Sequence, residues 1–156
     1  MRKKEPYKQG LYIPRNPQKI INKKEIVYRS YLEWKWMHKF DINENIVRWG
    51  SECLFIPYIK PTTNKVHRYY PDFQVEFKDG ATHILEMKPK KEIVLIQEYL
   101  ETGNVPKTIK KKRPNEKLST FQYRAIRWSI NVAKWKACQA FCDKKGWKFL
   151  KISEKD

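Results

Sequence analysis

The feature that most constrains the fold is a pair of alternating segments, residues 69–77 and 82–88, joined by Lys78, Asp79 and Gly80. Apolar and polar side chains alternate along both segments, which is typical of β-strands with one face in the core. Gly80 suits a tight turn, because glycine adopts positive φ without a steric penalty. The sequence therefore predicts a β-hairpin in which the two strands are antiparallel neighbours.

The polar side chains of these strands are expected to meet on one face of the hairpin. Because side chains alternate between the faces of a strand, Asp72 points away from Phe73 and Val75, which belong to the core face. On the second strand Glu86 and Lys88 lie on one face, since a single residue separates them. The pattern predicts a polar cluster of Asp72, Glu86 and Lys88.

A helix is predicted before the hairpin, over residues 24–40, with Glu33 in the middle of a largely apolar stripe. A buried carboxylate is unfavourable unless a cation, a metal or hydrogen-bond donors satisfy it. Two interpretations stay open. Glu33 belongs to the acidic cluster, or it forms a buried ion pair with an arginine such as Arg29 or Arg48.

The remaining elements complete an α/β (α+β) domain. A strand is predicted over residues 53–58, a short helix near residues 93–100, a long helix from Ser119 or Thr120 to about Lys145, and a last strand over residues 147–152. In order, these give a helix, a three-strand meander, a long helix and a strand, so we expect a mixed central sheet flanked by helices. Residues 24–156 are expected to form a single domain with a basic insertion at 93–117, preceded by a basic arm at residues 1–23.

The long helix is expected to lie on the sheet through one stripe of its surface. The stripe comprises Ile126, Ile130, Ala133, Ala137, Ala140 and Phe141. Trp128 and Trp135 fall outside it, and covering a second apolar layer is favoured over stacking on bases or docking a partner. Cys53, Cys138 and Cys142 lack zinc-site spacing and are interpreted as reduced thiols.

The charge of the chain indicates a polyanionic partner. Lys and Arg number 34 against 17 Asp and Glu, a formal charge of +17 on 156 residues. Nucleic acid is favoured over a membrane, because no apolar run approaches the roughly 20 residues that span a bilayer. The basic N-terminus leads into Pro6 rather than an apolar stretch, so we expect no secretory signal and a protein that works in a cytoplasm or in a particle assembled there.

Two carboxylates with a neighbouring lysine suit the hydrolysis of phosphodiesters. Mg²⁺ prefers oxygen ligands and is commonly held by one or two carboxylates plus water and phosphate. Such a metal polarises the phosphate and lowers the pKa of the attacking water, while a lysine offsets the developing negative charge. The alternative is an exposed strand face whose Glu and Lys pair with opposite charges, each pair contributing little to stability.

Three segments carry a resemblance to a known family: Tyr28-Arg29-Ser30 with Glu33, Lys65-Val66-His67-Arg68-Tyr69-Tyr70-Pro71-Asp72-Phe73, and Leu85-Glu86-Met87-Lys88-Pro89-Lys90-Lys91. With Pro71-Asp72 and Glu86-Met87-Lys88 on adjacent strands, after a Glu-bearing helix and before a long helix, the chain resembles the PD-(D/E)XK nuclease superfamily. More narrowly, it is similar to the head completion nucleases of contractile-tailed phages and to TnsA-type transposon endonucleases. The resemblance covers residues 24–91 and extends more loosely to Trp147.

This resemblance implies a restriction-endonuclease-like core and a metal-dependent DNA endonuclease of phage head completion. Asp72 and Glu86 would be metal ligands, together with Glu33 and the backbone carbonyl of Met87. Lys88 would position the attacking water or stabilise charge, so that Glu33, Asp72, Glu86 and Lys88 form the catalytic set. The implied cofactor is Mg²⁺ or Mn²⁺. The implied partners are double-stranded DNA and phage portal or neck proteins, and the implied location is the virion and the host cytoplasm during assembly.

Basic residues around the cluster are expected to contact DNA. Arg68 and Lys90 flank the catalytic residues, and an arginine grips phosphate through two parallel hydrogen bonds. His67 is a candidate for contact with the scissile phosphate, although a histidine on a strand more often makes a plain hydrogen bond. The full DNA-binding set is Arg29, His67, Arg68, Lys90, Lys91, Lys110, Lys111, Lys112 and Arg113.

Two other classes of function stay open. One is a catalytically inactive structural protein that binds DNA in the head or neck of a virion, and the other is a basic RNA-binding module. The presence of Glu33 together with Asp72, Glu86 and Lys88 argues against an inactive site. An RNA-binding module would have no use for Glu33 and no dependence on metal.

Overall fold

A computed structural model of the protein describes residues 9–156. In chain order its elements are β1 (Gly10–Tyr12), a 3-10 turn (Pro17–Lys19), β2 (Ile26–Tyr28), α1 (Tyr31–Ile42), β3 (Ile46–Ser51), β4 (Ile56–Lys60), β5 (Lys65–Tyr69), β6 (Phe73–Phe77), β7 (Thr82–Met87), α2 (Lys90–Thr102), α3 (Lys107–Lys110), α4 (Leu118–Lys145) and β8 (Lys148–Ile152). No helix among these residues is long and apolar enough to cross a membrane.

A mixed sheet of four strands in the order β3-β6-β7-β8 forms the centre of the domain. Strands β3, β6 and β7 are antiparallel neighbours, and β8 joins β7 in parallel after the helical crossover. The predicted hairpin is confirmed: β6 pairs with β7, and Gly80 adopts a φ of 88° in the connecting turn. The prediction of a mixed sheet flanked by helices is likewise confirmed.

Helices cover both faces of this sheet. On one face Phe73, Val75 and Leu85 pack with Met37 and Phe40 of α1. The other face packs against α4 and α2, where a second core contains Ile84, Phe149, Val132, Trp135 and Ile93. Because alternate residues of β7 serve the two cores, Glu86 lies on the same side of the sheet as Ile84, under α4.

The predicted strand at residues 69–77 is wrong in one respect, because it is two strands in different sheets. Strand β5 ends at Tyr69 and pairs with β4 in a separate hairpin, while β6 begins at Phe73. Pro71 separates them and has no N–H with which to continue a ladder. The carbonyl of Asp72 instead accepts a hydrogen bond from the N–H of Glu52 at 3.0 Å.

Strand β3 was not predicted, and it rather than the segment at residues 53–58 begins the antiparallel meander. Its two buried apolar residues, Ile46 and Trp49, are three positions apart because the pairing with β6 shifts register between Ile46 and Arg48. A bulge of this kind interrupts the alternation by which a strand is recognised in a sequence. The predicted strand at residues 53–58 corresponds to β4, which begins only at Ile56.

The predicted helix over residues 24–40 begins too early. Residues Ile26–Tyr28 form β2, which pairs with β1, and α1 begins at Tyr31. Ser30 caps the helix by accepting a hydrogen bond from the Glu33 N–H at 3.1 Å. A cap serine has extended rather than helical backbone, so the helix cannot include the residues before it.

Part of the predicted basic arm is packed on the domain itself. Asp41 of α1 is fully buried and accepts hydrogen bonds from the Tyr12 hydroxyl at 2.8 Å and from the N–H groups of Arg15 and Asn16 at 2.7 and 2.9 Å. This carboxylate therefore fastens the segment that follows β1 to α1. The first eight residues of the arm lie outside the described residues.

The long helix α4 is confirmed and ends at Gly146, which adopts a φ of 70°. Its predicted stripe is confirmed at Ile130, Ala133, Ala137 and Phe141, which pack against the core. It is wrong at Ile126, which is 44% exposed, and at Ala140, which is also exposed. The buried residues of α4 are Val132, Trp135, Cys138 and Cys142. Trp135 belongs to this core and the partly buried Trp128 packs against it, which confirms the preferred interpretation that the tryptophans cover an apolar layer. The short helix predicted near residues 93–100 is α2, and the insertion contains a further short helix, α3.

Candidate active site

Asp72 and Glu86 form an acidic pair beneath α4. Asp72 immediately precedes β6, and its Oδ2 accepts a hydrogen bond from the N–H of Met87 at 2.7 Å. Glu86 precedes Met87 at the end of β7 and is only 6% exposed. The hydrogen bond from the Met87 N–H therefore holds the Asp72 carboxylate beside β7, the strand that carries Glu86.

The Glu86 carboxylate is held by two side chains. Its Oε2 accepts a hydrogen bond from the Tyr69 hydroxyl at 2.5 Å. Its Oε1 lies 3.6 Å from the Nζ of Lys88, which is largely shielded from solvent. The N–H of Lys88 donates to the Ile152 carbonyl at 3.0 Å, so the neighbouring strand β8 fixes the backbone of the lysine. The predicted neighbourhood of Glu86 and Lys88 is present.

The surroundings of Asp72 and Glu86 disfavour the ionised form of both carboxyl groups. Burial and the neighbouring Glu86 carboxylate raise the pKa of Asp72 to about 7, against the lowering effects of the Met87 N–H and of Lys88. Burial also raises the pKa of Glu86, although Tyr69, Lys88 and Lys134 act in the opposite direction. Two buried carboxylates that resist ionisation together are a site where an added cation would be strongly favoured.

Sequence reasoning missed Tyr69 and Lys134. Tyr69 is 3% exposed, and Lys134 projects from α4 with its Nζ 5.5 Å from the centroid of the Tyr69 ring. Burial lowers the pKa of Lys134, and its charge acts on Glu86. The signal that could have found this lysine is its position one helical turn before Cys138. It was hidden because the predicted stripe ran through the neighbouring Ala133 and Ala137, and a lysine beside such a stripe is ordinarily solvated.

Glu33 lies at the edge of the site rather than in an apolar stripe. Its Oε2 accepts a hydrogen bond from the Arg29 N–H at 2.6 Å, so the side chain folds back over the residue that precedes the Ser30 cap of α1. Its charge still contributes to the raised pKa of Asp72. The open alternative of a buried ion pair is wrong: the Arg29 side chain binds Glu52 at 2.8 Å, and Arg48 lies 3.6 Å from Glu76.

The comparisons with known proteins agree with this arrangement. Residues 43–154 match the family described as "TnsA-like endonuclease N terminal". The chain is also 34% identical over 146 residues to the "Head completion nuclease" of Enterobacteria phage T4, covering 93% of this chain and 90% of that protein. The chain belongs to the TnsA-like endonuclease family. No solved structure matches it.

Membership of the TnsA-like endonuclease family confirms the resemblance drawn from the motifs, and the mixed sheet with its flanking helices is the restriction-endonuclease-like fold. The matched range includes Asp72, Glu86 and Lys88, whereas Glu33 precedes it. The three residues that form the compact part of the site are therefore those that the family model covers.

The donor set of this endonuclease fits a hard divalent cation held by two carboxylates. Asp72 and Glu86 present oxygen atoms, are mutually repelling and are mostly shielded from solvent. Among residues 9–156 no three His, Cys, Asp or Glu side chains approach closely enough to hold a metal ion together. A divalent cation held by Asp72 and Glu86 would take its remaining ligands from water and phosphate, as is common for hard cations.

The basic residues predicted to contact DNA are spread over four regions, the first of which is Arg29 before α1. Arg68 is exposed on β5 and lies over the Phe55 ring at 4.7 Å, while Lys90 and Lys91 begin α2 next to Lys88. Lys110, Lys111 and Arg113 are exposed in the insertion. Lys112 is turned inward, because its Nζ donates to the carbonyls of Arg113 and Glu116 at 3.1 and 2.7 Å.

His67 has a local partner in the β4–β5 hairpin. Its Nε2 lies 3.1 Å from the Thr63 Oγ1, and its ring is near Tyr58. This contact agrees with the interpretation of a plain hydrogen bond on a strand. Contact between His67 and the scissile phosphate stays a prediction, as does ligation through the Met87 carbonyl.

Proposed function

We propose that the protein is a divalent-metal-dependent DNA endonuclease that cleaves phosphodiester bonds at Asp72 and Glu86. The observation that supports this most is the buried acidic pair with Lys88 and Lys134 facing it. A buried carboxylate with only a structural role needs no more than one ion pair. Here two carboxylates that repel one another lie together. Such concentration is typical of sites that hold a cation.

The residues divide the chemistry between them. Asp72 and Glu86 would hold a divalent cation, which when bound polarises the phosphate and lowers the pKa of the attacking water. The Nζ of Lys88 would donate hydrogen bonds to that water and to the phosphate, orienting one and offsetting the charge that develops on the other. The Tyr69 hydroxyl fixes the rotamer of Glu86, and Lys134 favours its ionised form.

Other members of the predicted set have supporting roles. Glu33 would complete the acidic environment through its effect on Asp72, and the Met87 carbonyl would supply a further oxygen ligand. Arg29, His67, Arg68, Lys90, Lys91 and the basic run from Lys110 to Arg113 would follow the DNA backbone. The charge of +17 suits this role, because each neutralised phosphate releases counterions.

The biological setting comes from the named relative. A "Head completion nuclease" of a phage points to a nuclease that processes or holds the packaged DNA end before the tail is attached. The protein would then act in the host cytoplasm during assembly, remain with the virion, and contact portal or neck proteins. Mg²⁺ is the expected physiological cation and Mn²⁺ the expected substitute.

Plasmid cleavage tests the proposal directly. Supercoiled plasmid should be cut with Mg²⁺ or Mn²⁺ and not with EDTA. Asp72→Asn or Glu86→Gln should reduce the rate by at least about a hundredfold, since changing a residue that merely orients a metal ligand already costs about 10- to 100-fold. Asp143→Asn, an exposed aspartate of α4, is the matched control. Uncut plasmid in every metal, or an Asp72→Asn variant as fast as the parent, would contradict the proposal.

Metal binding can be measured without cleavage. A ligand that binds only the folded state raises the melting temperature, and the rise grows with the logarithm of the ligand concentration once this exceeds Kd. Mn²⁺ should therefore raise the melting temperature of the parent protein and of Asp143→Asn, but not that of Asp72→Asn. The absence of any metal effect on the parent would remove the basis for a cation at the acidic pair.

The second candidate function is a structural DNA-binding protein of the phage head or neck. It is favoured by one observation, that a charge of +17 suits attachment to DNA whether or not the DNA is cleaved. Under this function the plasmid stays intact in every metal, while binding to it remains sensitive to salt. The cleavage experiment therefore separates the two candidates.

A further inference from the structure

A second site lies in the helical insertion, beside the catalytic strand. A cavity of about 250 Å³ opens between α2, α3 and α4. Its wall includes Lys91, three residues after Lys88, so their Cα atoms are at most about 11 Å apart. None of Asp72, Glu86 and Lys88 lines this cavity.

The cations of the cavity are of two kinds. Arg124 is held in place, since its guanidinium binds Glu116 at 2.6 and 2.7 Å and the Thr108 carbonyl at 2.7 Å. Lys91, Arg113 and Arg127, in contrast, form no salt bridge with a carboxylate of residues 9–156. The fixed arginine thus organises the insertion, while the others are available to an anionic ligand.

Aromatic side chains line the same cavity. Arg127 lies over the ring of Tyr123, with its guanidinium carbon 5.6 Å from the centroid, and Tyr123 is 61% exposed. Trp128 also lines the cavity, and its Nε1 is buried with no hydrogen-bond partner among the described residues. A buried donor without an acceptor is uncommon in a completed protein interior.

We propose that this cavity binds one unpaired nucleotide of a DNA strand, with the base against Tyr123 and Trp128 and its phosphate held by Arg113 and Arg127. Planar aromatic surfaces stack with any base, and arginines bind phosphate, so the combination fits a nucleotide better than either a free anion or an apolar ligand. The volume of about 250 Å³ suits a single base, because a cavity of about 150 Å³ already accommodates benzene. The proposal rests on DNA being the substrate, and it assigns the enzyme a preference for unpaired nucleotides near the cleaved bond.

Binding in EDTA tests the proposal independently of cleavage. Fluorescence anisotropy would compare a short blunt duplex, the same duplex with a short single-stranded extension at either end, and an extended duplex whose extension lacks bases. The parent should bind one of the extended duplexes at least about fivefold more tightly than the blunt one, since stacking of one base contributes about that factor or more. The extension without bases should lose most of this preference.

Two variants locate the effect. Tyr123→Ala, at an exposed position, and the double variant Arg113→Gln/Arg127→Gln should bind blunt and extended duplexes with nearly equal affinity. The control Lys144→Gln/Lys155→Gln removes the same charge from exposed positions outside the cavity and should keep the preference. Equal binding of blunt and extended duplexes by the parent, or a preference that persists in both cavity variants, would overturn the proposal. Neither result bears on the proposed nuclease activity, which the plasmid cleavage assay tests separately.

Discussion

At the scale of single residues, the acidic pair should reduce the stability of the metal-free protein. The pKa of Asp72 is raised to about 7, so between about pH 4, its ordinary value, and pH 7 the folded state binds more protons than the unfolded state. Stability from this residue is therefore greatest below pH 4 and is lost as the pH rises toward 7. Asp72→Asn should stabilise the protein in EDTA at neutral pH by up to about 4 kcal/mol, a rise in melting temperature of several degrees.

The pH dependence separates this effect from a general change in packing. Asparagine can still accept the hydrogen bond from the Met87 N–H, so the backbone contact should survive. Near pH 4 the Asp72→Asn variant and the parent should melt together, and Glu44→Gln at an exposed position should match the parent at every pH. An Asp72→Asn variant less stable than the parent at neutral pH would show that the carboxylate is not under electrostatic strain.

Tyr69→Phe should impair the site without removing a ligand. It deletes the hydroxyl that donates to Glu86 and leaves a buried carboxylate with one donor fewer, at a cost of about 1.5–3 kcal/mol if Glu86 is ionised. Because this hydrogen bond lowers the pKa of Glu86, its loss should shift the acidic limb of the pH–rate profile to higher pH. Tyr58→Phe, which alters a buried tyrosine of the paired strand, is the control. An unchanged profile for Tyr69→Phe would mean that the hydroxyl serves packing alone.

At the scale of elements, the sequence was sufficient where local pattern and tertiary environment coincide. The β6–β7 hairpin combines clean alternation with Gly80, and it placed Asp72 near Glu86 and Lys88 correctly. Helix α4 was recognised because no proline interrupts its length and Gly146 ends it. These features depend on a few adjacent residues, which is why they could be predicted.

The errors arose where distant contacts decide the structure. The bulge in β3 shifts its pairing and disrupts alternation, and it exists only because β6 lies alongside. The centre of the buried face of α4 depends on the sheet beneath it, so the predicted stripe included the exposed Ile126 and Ala140 and gave no sign of Lys134. Tyr69 could not be placed at Glu86, because β5 and β7 belong to different sheets.

The cap of α1 gives a prediction at the element scale. Ser30→Ala removes the acceptor for the Glu33 N–H and should destabilise the protein by about 1 kcal/mol, measured as a lower denaturant midpoint. Ser30→Thr should retain most of the stability, and Ser119→Ala, in an exposed first turn without a side-chain cap, should change it little. If Glu33 contributes to the site, plasmid cleavage should also slow in Ser30→Ala and recover in Ser30→Thr. Equal stability of Ser30→Ala and the parent would contradict the capping role.

At the scale of the whole molecule, the excess positive charge should make salt act in opposite directions on the fold and on the complex with DNA. A charge of +17 on 156 residues repels itself in the compact state, and added ions screen that repulsion. The melting temperature of the free protein should therefore rise between low and moderate NaCl concentrations. Affinity for duplex DNA should fall over the same range, because salt opposes the release of counterions from the phosphates.

The steepness with which DNA affinity falls with salt concentration reports how many phosphates of the DNA backbone the protein contacts. The logarithm of the association constant falls with the logarithm of salt by about 0.9 for each neutralised phosphate, so six contacts give a slope near −5. Replacing Lys110, Lys111 and Arg113 by Gln should make the slope shallower by about 3 if all three reach phosphates, whereas Lys144→Gln should leave it unchanged. An unaltered slope in the triple variant would mean that the insertion faces a protein partner, and that the DNA follows the side of the domain that carries Arg68 and Lys90.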